Sequence, residues 1–214
     1  MLDKMNCLAK ATLMFALPSA LLAQNRLQFG PHLGGVGLSG ALSEGLEPSA
    51  WGGAQVRFDL GRGHVLQALV AGTRLSGTHQ EVFRIDDGYH YEVPLKVSLN
   101  ATIAQLGGEY HYFPTATMGR GFHTILGLGL VYSSQEKELP RYFDMAPYTE
   151  VVSTGPELTL GFGYSFTRWL GLDLRAVTFK GDTIGTQLDP RTGELNRRSR
   201  TSTLFTLSTS FFFR

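Results

Sequence analysis

The chain has 214 residues with 19 basic and 18 acidic side chains, so nothing in its charge points to nucleic acid. It holds 26 glycines and is 11% aromatic and only 17% charged, with few of the Ala/Glu/Lys/Leu runs that helices favour, which argues against a helical protein. The length allows one domain or two small ones, and a single cysteine, Cys7, excludes a disulfide framework.

The N-terminus differs from the rest. Lys4 and Lys10 precede the apolar run Ala11 to Ala23, which ends in small residues before Gln24. This is the pattern of a secretory signal peptide, too short to cross a bilayer as a helix. It predicts cleavage at Ala23–Gln24, a signal over 1–23 and one mature domain over 24–214. Cys7 precedes the apolar run, which is not the place of a lipid-attachment cysteine. No later apolar stretch approaches the length of a membrane helix.

The mature chain reads as strands. From Leu27 to Leu38, Leu27, Phe29 and Leu33 alternate with Gln28, Gly30, His32 and Gly34, and Pro31 predicts a bend or bulge. After a loop, Ala41 to Ala50, the second strand sets Ala54, Val56, Phe58 and Leu60 against Gln55, Arg57 and Asp59. Gly61 to Gly63 is a tight turn. The third strand starts near His64, and its two faces are chemically alike. Asp86, Asp87 and Gly88 read as a hairpin turn between Glu81–Ile85 and Tyr89–Val93, so strands three and four extend as a projecting ribbon. The descending limb alternates Val93, Leu95, Val97, Leu99, Ala101 and Ile103, after which Leu106, Gly108, Tyr110 and Tyr112 become the apolar set. Such a slip in parity predicts a bulge near Ala104–Gln105.

Pro114 to Gly121 is a turn. Strand five, Phe122 to Tyr132, sets Phe122, Leu126, Leu128 and Leu130 against His123, Gly127 and Gly129. A charged loop, Ser133 to Glu150, follows. Pro156 to Phe179 then makes a hairpin: Leu158, Leu160, Phe162, Tyr164 and Phe166 face away from Glu157, Thr159, Gly161, Gly163 and Ser165. Beyond Thr167 and Arg168, Leu170, Leu172, Leu174 and Ala176 oppose Gly171, Asp173, Arg175 and Val177. Each limb is about ten residues, enough for a tilted strand to cross a bilayer. The polar face is mostly glycine, serine and threonine, and Tyr164, Phe166 and Trp169 gather where an aromatic girdle would sit. Lys180 to Arg200 is a polar loop, and strand eight runs from Thr203 to Phe213.

Eight strands result, with short links after the second, fourth and sixth and long hydrophilic links after the others. That segregation is expected of an eight-stranded antiparallel up-and-down transmembrane β-barrel, short turns periplasmic and long loops extracellular. The signal, the eight alternating strands and the terminal Phe205, Leu207, Phe211 and Phe213 resemble the small outer-membrane barrels. These include the OmpA transmembrane domain, OmpX and the "outer membrane protein beta-barrel domain" families. Glu92-Val93-Pro94-Leu95 is similar to a phrase in some of them, whereas Arg214 follows where they usually stop at Phe. The resemblance implies the outer membrane of a Gram-negative bacterium, with outer-membrane lipid, lipopolysaccharide and the barrel-assembly machinery as partners. It implies little about activity.

Arg57, Asp59, Glu109, Glu157, Asp173 and Arg175 all fall on polar faces and are expected to form an ion network filling the lumen, since eight strands leave room only for side chains. Arg197, Arg198 and Arg200, where the last loop meets strand eight, are candidates for lipopolysaccharide phosphates. His79, Asp86, Asp87, His90 and Glu92 could ligate a metal, but solvated loops carry such residues anyway, and no metal or other cofactor is expected. Lipid A deacylases carry His-x-Ser-Asn on a lipid-facing strand. Here His123 precedes Thr124 and Ile125, and His111 precedes Tyr112 and Phe113, and the palmitoyltransferase pattern is missing too. No nucleophile pairs with a base. The sequence therefore points to a non-enzymatic barrel with a structural or surface-interaction role, its extracellular partner unspecified. A narrow porin-like channel is the second reading. A soluble lipocalin-like barrel is the third, and it would turn Leu126, Leu128, Leu158 and Leu160 inward.

Overall fold

The computed structural model describes residues 26–40, 43, 45–86, 90–115, 120–138, 148–188 and 195–213; the expected signal peptide lies outside them. The alternating segments form β1 (Leu27–Gly40), β2 (Ser49–Gly61), β3 (His64–Asp86), β4 (His90–Tyr112), β5 (Gly121–Glu138), β6 (Tyr148–Thr167), β7 (Leu170–Leu188) and β8 (Leu195–Phe211). Each pairs antiparallel with its neighbours in chain order, and β8 returns to β1. Closure removes the exposed edges that an open sheet presents.

Turn chemistry sets one rim. Gly61, Arg62 and Gly63 all have positive φ (89°, 54° and 81°), a run that only glycine-rich sequence tolerates. The Asp59 carboxylate braces it by accepting from the Gly61 N–H at 2.7 Å. In the β6–β7 turn the Thr167 hydroxyl oxygen accepts from the N–H groups of Trp169 and Leu170 at 3.1 and 3.2 Å. Pro31 makes no bulge. It stays in register with Ala54 on β2, between Phe29↔Phe213 and His32↔Ser210 on the β8 side. Its cost is one missing ladder bond.

The wall has two storeys. Next to the short turns, outward positions are apolar and inward ones polar: Leu128 is 68% exposed and Leu160 52%, while Glu109 and Arg175 are buried. This disposes of the lipocalin reading, because Leu126, Leu128, Leu158 and Leu160 all face out. In the second storey the same alternation carries opposite chemistry. Trp51, Leu75, Ile103, Val131, Phe179 and Leu204 point inward as a buried core, while Lys96, Ser98 and Thr102 are exposed. Beyond the bilayer the outer face meets water, so apolar side chains gain by turning in.

That inversion explains why no bulge lies at Ala104–Gln105. β4 pairs with β3 from Asp86↔His90 to His64↔Tyr112, and with β5 from Ser98↔Glu138 to Tyr112↔Thr124, without a shift of register. Ile103, Gln105 and Glu109 all point inward and are buried. The backbone keeps its parity; the solvent outside it changes. For the same reason strand continues into both polar stretches, and the described residues of 133–150 and 180–200 are all strand. β5 runs on to Glu138, β6 starts at Tyr148, β7 reaches Leu188 and β8 starts at Leu195.

Two features lean across the far end. The connection before β2 folds inward, with Leu46 against the apolar core and the Glu47 N–H donating to the Ser76 carbonyl at 3.1 Å. β3 and β4, 23 residues each, form the projecting ribbon, and β3 makes a parallel bridge, Arg84↔Gln187, with β7 across the barrel.

Replacing Leu160 with arginine near mid-belt is expected to cost about 2–4 kcal/mol. A urea titration of the lipid-refolded barrel checks this, and an unchanged midpoint would mean that Leu160 does not face hydrocarbon.

Candidate functional site

The membrane storey is filled by one hydrogen-bonded cluster. Arg175 on β7 lies at its centre. Its Nε and Nη2 donate to the two oxygens of Glu109 on β4, at 2.9 and 3.1 Å, the forked geometry that guanidinium and carboxylate share. Nη2 also donates to Asp173 Oδ2 at 3.1 Å, and Nη1 to the Ser208 hydroxyl at 3.1 Å. The remaining carboxylate lone pairs are used too. Glu109 Oε2 accepts from Gln67 Nε2 and His111 Nε2, both at 2.9 Å. Asp173 accepts from His123 Nε2 at 2.9 Å and from the Ser210 hydroxyl at 3.0 Å. Buried ions persist only when paired and hydrogen-bonded in this way.

Below the ions the rings close the rim. His111 stacks on His123 with centroids 5.2 Å apart, and Phe113 on His123 at 4.6 Å. The Arg57 guanidinium sits 3.8 Å above the Phe212 ring and donates through Nε to Gln67 Oε1 at 3.3 Å. Glycine makes the packing possible. A Cβ on Gly163 would stand 2.6 Å from His123 Nε2, and one on Gly127 3.0 Å from Glu109 Cγ. The inward glycines stand where a wide side chain on the next strand needs room.

Of the six expected network residues, Glu109, Asp173 and Arg175 are joined by ion pairs. Arg57 belongs to the cluster through Gln67 and Phe212. Asp59 does not join: its carboxylate serves the rim turn. Glu157 stands apart as well: among the described residues its hydrogen-bond partner is Gln105, whose Nε2 donates to Oε1 at 2.8 Å. His111, His123, Gln67, Ser208 and Ser210 join the cluster beyond the expected residues, as does His32, whose Nδ1 lies 3.3 Å from the Ser210 hydroxyl, and each has the inward parity of its strand. Inward parity was the available signal.

Arg197, Arg198 and Arg200 are exposed on β8 in the outer storey. They pair with Ile184, Thr183 and Gly181 of β7, so Arg197 lies on the outward face while Arg198 and Arg200 share the inward parity. The side chains of His79, Asp86 and His90, and the whole of Asp87, lie outside the described residues. Among the described residues no three metal-ligating side chains gather. A groove of about 720 Å³ opens on the outer wall, where Ala68 and Gly108 lie between Val56, Leu66, Leu128 and Leu158. It belongs to the lipid-facing belt.

No family model and no curated protein matches the chain. Among solved structures, the attachment invasion locus protein Ail of Yersinia pestis is similar at 8% identity and a TM-score of 0.46, covering 88% of this chain and 97% of that one. Neisserial surface protein A is similar at 11% identity and 0.46, covering 87% and 97%. The outer membrane protein OprG of Pseudomonas aeruginosa is similar at 13% identity and 0.48, covering 88% and 94%. These likenesses concern barrel architecture and say nothing of activity. With eight strands wound up and down, an apolar belt outside and a polar filling inside, the fold is that of the small eight-stranded outer-membrane β-barrels.

Proposed function

We propose that the chain is a non-enzymatic outer-membrane barrel that crosses the bilayer as a sealed post and works through the storey it holds above the surface. One observation carries this reading: two fillings of opposite chemistry occupy the lumen in series, a bonded ion cluster and an apolar core. The ribbon is bridged to β7 beyond them, at Arg84↔Gln187. A solute would have to displace every bond of the first and wet the whole of the second. The cluster's carboxylates are held by Arg175, Gln67, His111, His123 and Ser210, which supports a filling role for them. The short turns face the periplasm and the long ends face outward, as in barrels assembled from the periplasmic side. Ser76–Val93 and Lys180–Arg200 then form the surface offered to an extracellular partner. Arg197, outward and exposed, is the best placed of the three arginines to pair with lipopolysaccharide phosphates, and Arg198 and Arg200 would serve a ligand approaching from above. The terminal aromatic strand would be read by the barrel-assembly machinery.

Planar bilayers test the seal. Folded protein, identified by its faster gel mobility before boiling, is expected to insert without current steps. Reproducible single-channel conductance would overturn the sealed reading in favour of a porin-like channel.

A further inference from the structure

The apolar belt is dented where β3 meets β4. Ala68 and Gly108 pair across that seam and floor the groove of about 720 Å³, with Val56 and Leu66 on one side and Leu128 and Leu158 on the other. The packing does not require a glycine at 108: a Cβ there would meet nothing closer than the Leu128 carbonyl oxygen at 3.9 Å, an ordinary contact. The inward glycines at 127 and 163 differ, because Glu109 and His123 take their space. A strand glycine that the protein's own packing does not need marks the close approach of something else.

The end of the groove nearer the short turns is polar. Tyr110 lines it, and the Tyr110 hydroxyl shares a hydrogen bond with His64 Nδ1. The His64 ring also lies against Tyr110 and Tyr112, with centroids 5.9 and 5.3 Å away. Two residues earlier, Arg62 is exposed in the β2–β3 turn at a φ of 54°, where glycine is unstrained and arginine is not. Strain kept at such a place points to the use of the side chain. His64 and Ala68 are four residues apart on β3, about 13 Å of strand, and half of a hydrocarbon core is about 15 Å. A head group held at Arg62 and His64 therefore brings its acyl chain alongside Ala68 and Gly108.

We propose that this groove binds one anionic phospholipid, its phosphate on the Arg62 guanidinium and the His64–Tyr110 pair and one acyl chain along Ala68 and Gly108. Guanidinium matches phosphate in both charge and geometry. The floor is a single residue pair wide, so a flexible chain enters it, whereas the convex wall of a neighbouring barrel bridges it. On the orientation proposed above, the lipid belongs to the periplasmic leaflet.

The refolded barrel, purified in detergent, is titrated with phosphatidylglycerol, and bound lipid is counted by native mass spectrometry. Micelles have no leaflets, so the outcome does not depend on the orientation. Wild type is expected to saturate with one lipid. Gly108→Leu fills the groove and should weaken that binding at least ten-fold. Arg62→Gly relieves the turn while removing the charge, and should weaken it several-fold. Gly37→Leu adds the same side chain to an outward glycine on β1 that has nothing within 4 Å of its Cβ, and should bind as wild type does. Gel mobility before boiling confirms that each variant is folded. A wild type without a saturable lipid, or equal binding in wild type and Gly108→Leu, would overturn the proposal. So would a dimer that Gly108→Leu dissolves, since the occupant would then be a second copy.

Discussion

Replacing Arg175 with methionine is expected to destabilise the barrel by about 3–5 kcal/mol. The methionine nearly fills the same space but removes four donated hydrogen bonds, two to Glu109 and one each to Asp173 and Ser208. The loss is not the worth of an ion pair; it is the cost of leaving two buried carboxylates without the guanidinium they share. Arg175→Lys, which keeps the charge and loses the fork, should cost less. Adding Glu109→Gln to Arg175→Met should recover part of the loss, as coupled neighbours do in a double-mutant cycle. Urea titration of the lipid-refolded protein measures all three. A change below about 1 kcal/mol for Arg175→Met would mean that solvent reaches the cluster, and the seal would then fail as an idea.

Phe179→Ala should cost a similar amount, about 3–5 kcal/mol, for a different reason. Phe179 is 2% exposed and packs into the outer core, so truncation leaves a cavity that strand pairing on both sides keeps from collapsing. Phe162 lies on the same strand pair, 50% exposed on the opposite face. In lipid its truncation forfeits little burial, so Phe162→Ala is expected to change the midpoint much less. The comparison isolates the inversion of the wall. If Phe162→Ala cost more than Phe179→Ala, the outer storey would have no apolar core.

Strand count, winding and the facing of β2, β5, β6, β7 and β8 in the bilayer were all legible, because glycine, serine and ions alternate there with leucine and phenylalanine. The misreadings share one cause. Treating the apolar side as the lipid side everywhere turned the change at Ala104–Gln105 into a bulge, and turned charged β5 and β7 extensions into loops. Above the bilayer a polar residue is what a strand shows to water, so polarity alone does not end it. β3 was ambiguous because Val65 and Leu69 point inward in the stretch where Leu66 and Val70 point outward. In the candidate site, ionic residues could be placed by parity, but two corrections needed local geometry. Asp59 sits two residues before Gly61, within reach of its N–H, and turn bracing won over pairing. Glu157 shares the inward parity of the cluster, but its Oε1 is held by Gln105. Sequence alone does not assign the histidines to the cluster, because imidazole is equally at home on a polar face and in a rim of stacked rings.

The reversal of chemistry along one unbroken wall gives the molecule a waterline. Were the barrel to ride higher, leucines such as Leu130 on β5 would be lifted into water; were it to sink, Lys96 and Thr102 would enter hydrocarbon. Both displacements are uphill, so its draught is set by its own residues. A membrane of a different thickness must stretch or thin around the barrel, at a cost of fractions of a kcal/mol per Å.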